Sequence, residues 1–449
     1  MNQEMTNARI LPVLLKFTIP LMIGNIFQQL YNMADTIIVG RFVGAGALAA
    51  VGSTGTIMFL LTGISQGMTA GFSVLTSQKY GAEDERGVRN SVANGIFLTI
   101  ATALFLTAVS LLSMPTILRL MNTPADIYED ASTYIMLISA GFAANIFYNL
   151  FSALLRSVGN SKAPLCFLVF SACLNVLLDL LFIIRFHMGV AGAAIATNLS
   201  QGISALLSLG YIYLRVPALR PTRGDWKLNR NACKFQLRMA IPMSLQFAIT
   251  SSGAMIMQSA INLFGSTAVA AFTAASKLQN VLMQGMIAMG QAMAAFCGQN
   301  YGAGKLSRVK AGVRTAMQIS TVYSLTVAVL AWVLLPQVLR LFFSGNVDIS
   351  VMLPWARTYI HLTVLFYIPL SMIFVFRNAM QGCGYGFLPM MGGVAEFFAR
   401  LLTSRFAAAL LSFPLACFCD PAAWVSAALV TAISYRYVMG KIERKSASQ

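Results

Sequence analysis

A chain of 449 residues with 57% apolar and only 10% charged side chains has too little polar surface to face water on all sides; soluble domains carry about a quarter charged residues. Its mean hydropathy of +0.72 makes lipid its main solvent and excludes soluble and disulfide-rich secreted classes. The formal net charge of +17, from 31 Lys+Arg against 14 Asp+Glu, would suggest nucleic acid on a soluble domain; here its meaning depends on where the basic residues fall.

A membrane helix needs about 20 mostly apolar residues. Cutting the chain at charges and at Gly/Pro clusters predicts twelve such segments, near residues 14–40, 49–76, 91–113, 131–154, 164–184, 190–213, 240–263, 268–297, 312–335, 355–377, 389–411 and 422–439. None shows the alternation of an outer-membrane barrel strand, so the chain is expected to be an all-α integral membrane protein. The first segment contains Pro20, Asn25 and Gln28, with no small-residue cleavage site after it, and is read as a span rather than a signal peptide. The seven cysteines lie mostly in apolar stretches without metal-ligand spacing and are read as packing residues.

Loop charges set the orientation. With the N-terminus inside, 23 Lys and Arg fall in inner segments, seven of them between Arg215 and Arg238, against five outside: Arg41, Arg119, Arg185, Arg340 and Arg357. Lys277, Arg400 and Arg405 fall within spans. Both termini are therefore expected to be cytoplasmic, in the inner (cell) membrane of a prokaryote. The basic residues meet anionic lipid headgroups, which makes membrane lipids the partners and leaves no role for nucleic acid.

The basic stretch divides the chain into an N-terminal lobe over residues 1–214, a cytoplasmic linker over 215–238 and a C-terminal lobe over 239–449, with six spans in each lobe. The halves repeat. Ile19-Pro20 returns as Ile241-Pro242, Gln78-x-Tyr80-Gly81-Ala82 as Gln299-x-Tyr301-Gly302-Ala303, and Arg119-Leu120 as Arg340-Leu341. At an offset of 225, Thr133-Tyr134-Ile135 matches Thr358-Tyr359-Ile360, Gly159 matches Gly384 and Pro164 matches Pro389. Two repeats of six spans enter the membrane in the same direction, so the lobes are expected to be pseudo-symmetric about the membrane normal with a cavity between them, the plan of an alternating-access transporter. A two-lobed chain of this kind is expected to work as a monomer. No span carries a Ser/His pair or His-rich metal spacing, so no enzyme and no cofactor is expected.

Function is expected where the repeat fails, because a charge at the bilayer centre costs about 2.5–3.5 kcal/mol on insertion scales. The first span contains Asp35, with Asn25, Gln28 and Asn32 at helical spacing on one face; the second half has Met255-Ile256-Met257 in the corresponding stretch. Pro20 should bend that helix. The fifth span contains Asn175 and Asp179, four apart on one face, whose counterparts are Arg400 and Ser404. Thr197 and Asn198 in the sixth span complete an oxygen-rich set able to hold sodium or share a proton. Plainer alternatives exist: Asp35 capping a helix end or pairing with Arg41, and Asp179 reaching outward near Arg185. Glu396 and Arg400, also four apart, read most simply as an ion pair. Gln28, Asn32, Gln258, Lys277 and Gln284 are candidate cavity-lining residues for small organic substrates.

These residues resemble the multidrug and toxic compound extrusion (MATE) family. Asp35-Thr-Ile-Ile-Val-Gly-Arg41, continuing to Leu48-Ala-Ala-Val-Gly52, is similar to its first-span signature. Gln78-Lys-Tyr-Gly-Ala82 and Leu155-Arg-Ser-Val-Gly-Asn-Ser-Lys-Ala-Pro164 resemble its second-to-third-span loop and the loop before its fifth span, and Met380-Gln-Gly-Cys-Gly384 echoes the latter. The resemblance implies twelve helices in two lobes and export of organic, often cationic or amphipathic, compounds against inward H+ or Na+. It further implies a cation site at Asp35, Asn175, Asp179 and Thr197, with Tyr134 as the fourth-span tyrosine. Family branches that couple through the carboxyl-terminal lobe carry a seventh-span Glu, and Pro242–Phe264 contains no acidic residue. A flippase for a lipid-linked precursor is the alternative reading; it would need a strongly cationic cavity.

Overall fold

The computed structural model describes residues 4–121, 123–342 and 349–447. Sixteen α-helices run through them: α1 (Glu4–Asn7), α2 (Ile10–Phe42), α3 (Ala45–Gly81), α4 (Glu85–Leu120), α5 (Ala125–Ala140), α6 (Phe142–Ser157), α7 (Lys162–Leu180), α8 (Gly189–Arg215), α9 (Arg230–Ile261), α10 (Gly265–Gly302), α11 (Leu306–Phe342), α12 (Ile349–Val364), α13 (Tyr367–Gly382), α14 (Phe387–Ala409), α15 (Phe413–Cys417) and α16 (Cys419–Ala447). All twelve predicted segments are helical, and no strand occurs among the described residues. By length and composition eight stretches are able to cross a membrane, and ten when α5–α6 and α12–α13 are each taken as one bent span. One of the eight, Arg230–Gly302, holds two predicted segments either side of Gly265, and α14 adds a further charged helix. Many large apolar side chains lie exposed on these helices, among them Leu104, Phe105, Leu112, Val329 and Leu402; lipid rather than water is the solvent that accommodates them.

The duplication extends to the backbone. Positive φ angles recur at offsets of 221 and 225: Gly44 (127°) with Gly265 (86°), Glu83 (58°) with Gly304 (70°), and Gly159 (88°) with Gly384 (90°). Both bent pairs break at equivalent positions, by 47° at Gly141 and by 50° at Leu365–Phe366.

The chain divides into two compact units, one formed by Ile23–Ser244 and the other by Glu4–Met22 with the described residues from Leu245 onward. Each unit therefore borrows from the opposite half of the sequence. The two changeovers occur at matching places, two residues past Pro20 in α2 and two past Pro242 in α9. A proline removes one backbone donor and crowds the preceding turn, the standard means of weakening a helix at one point.

Small residues let these borrowed segments pack tightly. In the first unit, a Cβ on Gly71 would lie 2.3 Å from Ala240 Cα, and one on Gly67 2.6 Å from Ser244 Cα, so α3 and α9 meet backbone to backbone along a Gly-x-x-x-Gly face. Ser244 Oγ donates to the carbonyl of Ile64 at 3.1 Å across the same contact. In the second unit, Ala288 and Ala292 stand at the repeat-equivalent positions of α10 and bury against Leu14, Phe17 and Leu21 of α2.

The basic linker is tied to the first unit. Arg89 Nε donates to Asp225 Oδ2 at 3.0 Å, Thr222 donates to the same oxygen from N and Oγ1, and Asn94 Oδ1 accepts from Asn229 N.

Candidate functional site

Asp35 lies two turns before the end of α2, Tyr134 on α5, Asn175 and Asp179 one turn apart on α7, and Thr197 on α8. All five belong to the first unit. The apolar residues Ile38, Val39, Ile138, Ile183, Val190, Ala193 and Ala194 form one buried cluster around Tyr134 and pack these helices together. Ala193 and Ala194 add little bulk, which brings α8 close to its neighbours. The break between α5 and α6 is held by Asn198, whose Nδ2 donates to the carbonyl of Leu137 at 2.7 Å. Gly141 makes that possible, since a Cβ there would lie 2.2 Å from Asn198 Nδ2. A π-helical turn, Leu181–Arg185, begins two residues past Asp179; such turns recur at functional sites.

Asn175 and Asp179 are completely buried and Tyr134 nearly so. Asn175 Nδ2 donates to Thr197 Oγ1 at 3.3 Å, which leaves the Asn175 amide oxygen facing away from that bond. The carboxyl groups of Asp35 and Asp179 lie within hydrogen-bonding reach of each other. Two carboxylates hold that arrangement in a low-dielectric setting only with a proton or cation between them. Asp35 Oδ1 is buried with no hydrogen-bond donor among the described residues. The set is thus two carboxyls, an amide oxygen and hydroxyls, all hard oxygen ligands suited to sodium or a shared proton.

Tyr31 was not singled out in the sequence. It stands one turn before Asp35, with its hydroxyl in the neighbourhood of Thr197, Asp35 and Asp179, and joins the group from the same helix face. The spacing of four from Asp35 was the available signal. Of the remaining candidates, Gln28 and Asn32 lie on the part of α2 in the first unit, half-buried and exposed respectively. Gln258, Lys277 and Gln284 lie in the second unit. Gln258 Nε2 donates to Asn262 Oδ1 at 2.9 Å, Lys277 is exposed, and Gln284 is buried with its Nε2 donating to the carbonyl of Asn280.

The expected Glu396–Arg400 pair is present, with Nη1 to Oε2 at 3.2 Å, and is larger than the sequence suggested. Asp420, at the start of α16, accepts from Arg400 Nη2 at 3.1 Å. It lies just ahead of the last predicted segment, which is why spacing along one helix did not reveal it.

Comparison with known proteins places this architecture. The MatE family model matches twice, over residues 20–181 and 242–404, one match per repeat. The chain is 30% identical over 383 residues to "Probable multidrug resistance protein YpnP" of Bacillus subtilis (strain 168), covering 85% of this chain and 84% of that protein. It is 24% identical to "FAD transporter" of Shewanella oneidensis, over 82% and 81% of the two chains. Among solved structures, "Crystal structure of MATE in complex with MaL6" superposes with a TM-score of 0.90 at 23% identity, over 99% of this chain and all of that one. "Outward-facing conformation of a multidrug resistance MATE family transporter of the MOP superfamily" does so with a TM-score of 0.89 at 24% identity, over 98% of each. The duplicated helical fold, the matched family model and the near full-length relatives show that this chain is an integral membrane protein of the MATE family of multidrug efflux transporters.

Proposed function

We propose that the chain is an antiporter that exports organic, often cationic or amphipathic, compounds while H+ or Na+ moves inward through the Asp35–Asp179 site. The observation that carries this reading is the pairing of the buried Asp179 carboxyl with that of the half-buried Asp35, whose buried Oδ1 lacks a donor, beside Asn175, Thr197 and two tyrosine hydroxyls. A buried polar atom without a partner costs about 1–3 kcal/mol, more when charged, and an arriving cation or proton removes that cost. Binding draws the part of α2 beyond Pro20 toward α7 and α8. Pro20 is where the helix is weakest, so bending there is the mechanical output. Coupling follows when ion and substrate favour different conformations of the chain. We read the protein as a monomer in the inner membrane of a prokaryote, with both termini cytoplasmic; Gln28 and Asn32 of the first unit, and Gln258, Lys277 and Gln284 of the second, are its candidate substrate contacts. Lipids are its surroundings, not its cargo: of the three span cations that a lipid-linked pyrophosphate would need, Arg400 is already committed to Glu396 and Asp420.

The test is efflux of a fluorescent organic cation from proteoliposomes under an imposed proton gradient or an imposed sodium gradient. Transport driven by one of them supports the antiporter and names its ion. Transport by neither, from folded protein, overturns it.

A further inference from the structure

The second unit has a counterpart of the Asp35 site that contains a cation of its own. At the offset of 225, Tyr359 stands for Tyr134 and Arg400 for Asn175. Arg400 is 5% exposed. Its Nη1 donates to Glu396 Oε2 at 3.2 Å, while Nε and Nη2 donate to Asp420 Oδ1 at 3.2 and 3.1 Å. Tyr359 donates to the other Asp420 oxygen at 3.0 Å and accepts from Gln279 Nε2 at 2.8 Å. Gln279 Oε1 is buried beside this network with no hydrogen-bond partner among the described residues, in a residue 3% exposed. Arg377 approaches the far oxygen of Glu396 at 3.9 Å.

Space for the guanidinium comes from α9. A Cβ on Gly253 would lie 3.3 Å from both Cδ and Nη1 of Arg400. At the offset of 222 that relates Pro20 to Pro242, Gly253 stands where Tyr31 stands in the first unit. The tyrosine beside the Asp35 site is thus replaced by a glycine packed against the arginine.

We propose that Glu396, Asp420 and Tyr359 form a second cation site, permanently filled by the side chain of Arg400, so that exchange of an external cation is confined to the first unit. One repeat holds an acidic site that exchanges its ion, and the other holds its ion covalently. Removing the guanidinium while keeping Glu396 and Asp420 leaves one excess negative charge against Arg377, in an enclosure of oxygen atoms. That enclosure then takes a cation from solution. The contrast with the first unit rests on the antiporter reading, but the second site itself does not.

The experiment measures thermal unfolding of the purified full-length protein in detergent, in an Asp35→Asn/Asp179→Asn background that silences the first site. Sodium chloride, guanidinium chloride and N-methylglucamine chloride are titrated in the millimolar range at equal ionic strength. Arg400→Ala in this background should unfold at a lower temperature than the background alone. Guanidinium or sodium should then raise it by about 3–5 °C at about 100 times the dissociation constant. N-methylglucamine, too large for the space, should not. The background with Arg400 intact should respond to none of them, and adding Asp420→Asn to Arg400→Ala should abolish the response. Arg400→Gln, which keeps most of the side-chain volume, is the second variant. Equal curves in all three salts for both variants overturn the proposal, as does failure of both to fold at any concentration of either small cation. Because no transport is measured and the first site is absent, the result is independent of whether Asp35 couples efflux.

Discussion

Asn198 reaches from α8 across the break between α5 and α6 and donates to the carbonyl of Leu137 in the space that a Cβ on Gly141 would take. This contact gives the Leu137 carbonyl, which also accepts from Gly141 N at 3.2 Å, a second donor, and it fixes α5, with Tyr134, against α8, with Thr197. Asn198→Ala should lower stability by about 0.5–1.5 kcal/mol, the net worth of one hydrogen bond, since the carbonyl keeps its Gly141 donor. Gly141→Ala should cost at least as much, through the clash. In the double variant the clash partner is gone, so the two losses should not add. Thermal unfolding of the three variants checks this; strict additivity would show that the residues do not share the space.

The crossing of α3 and α9 should be equally intolerant. Gly71→Ala places a methyl group 2.3 Å from Ala240 Cα, a backbone atom that no rotamer change can move. Overpacking of this kind costs typically about 1–3 kcal/mol and more where backbone must shift. Gly52→Ala, where a Cβ has open space around it, is the control and should be nearly silent. Yield and unfolding temperature in detergent distinguish the two.

Tyr31→Phe removes a hydroxyl from the neighbourhood of Thr197 and Asp35 but leaves both carboxyls in place. Its effect should fall on ion affinity, a loss of about tenfold for one hydrogen bond worth about 1.4 kcal/mol. Maximal efflux should survive. Measuring efflux against increasing concentration of the driving ion should show a shifted midpoint with an unchanged plateau; a lowered plateau at an unchanged midpoint would place Tyr31 outside the ion site.

The linker clasp gives a pH dependence. Hydrogen bonds from Thr222, with Arg89 beside it, hold the Asp225 carboxyl below the usual carboxylate range. A group depressed on folding contributes stability that is complete above its unfolded value of about 3.9 and is lost as pH falls through the lower folded value. Asp225→Asn should therefore lower the unfolding temperature at pH 7. The gap from wild type should close only below about pH 4. A gap already closing near pH 6 would contradict the assignment.

Much of this was legible in the chain because lipid imposes a simple rule: each span must be helical and mostly apolar, so apolar runs cut at charges and Gly/Pro clusters marked out twelve segments that are all helical. Asp35, Asn175, Asp179 and Thr197 stood out because charged and amide side chains are costly in such spans. Helical spacing then paired Asn175 with Asp179. What spacing along one helix does not carry is the meeting of different helices. Tyr31 is an ordinary aromatic until Thr197 is seen against it. Asp420 sits on a different helix from Arg400 and just outside the apolar run, so only packing joins them. Gly253 carries no chemistry of its own and matters only through the arginine above it. The assignment of residues 4–22 and 230–244 to opposite units was likewise hidden, because Pro20 and Pro242 mark a weak point in a helix without saying what each side packs against.

The central claim, that the two carboxyls of the first unit couple ion entry to export, is tested most directly by gradient-driven efflux from proteoliposomes containing wild type, Asp35→Asn or Asp179→Asn at matched amounts of folded protein. The account predicts that the wild type responds to one ion gradient and that both variants lose the response while keeping wild-type unfolding cooperativity. Efflux by either variant that still follows the gradient at the wild-type rate would contradict it.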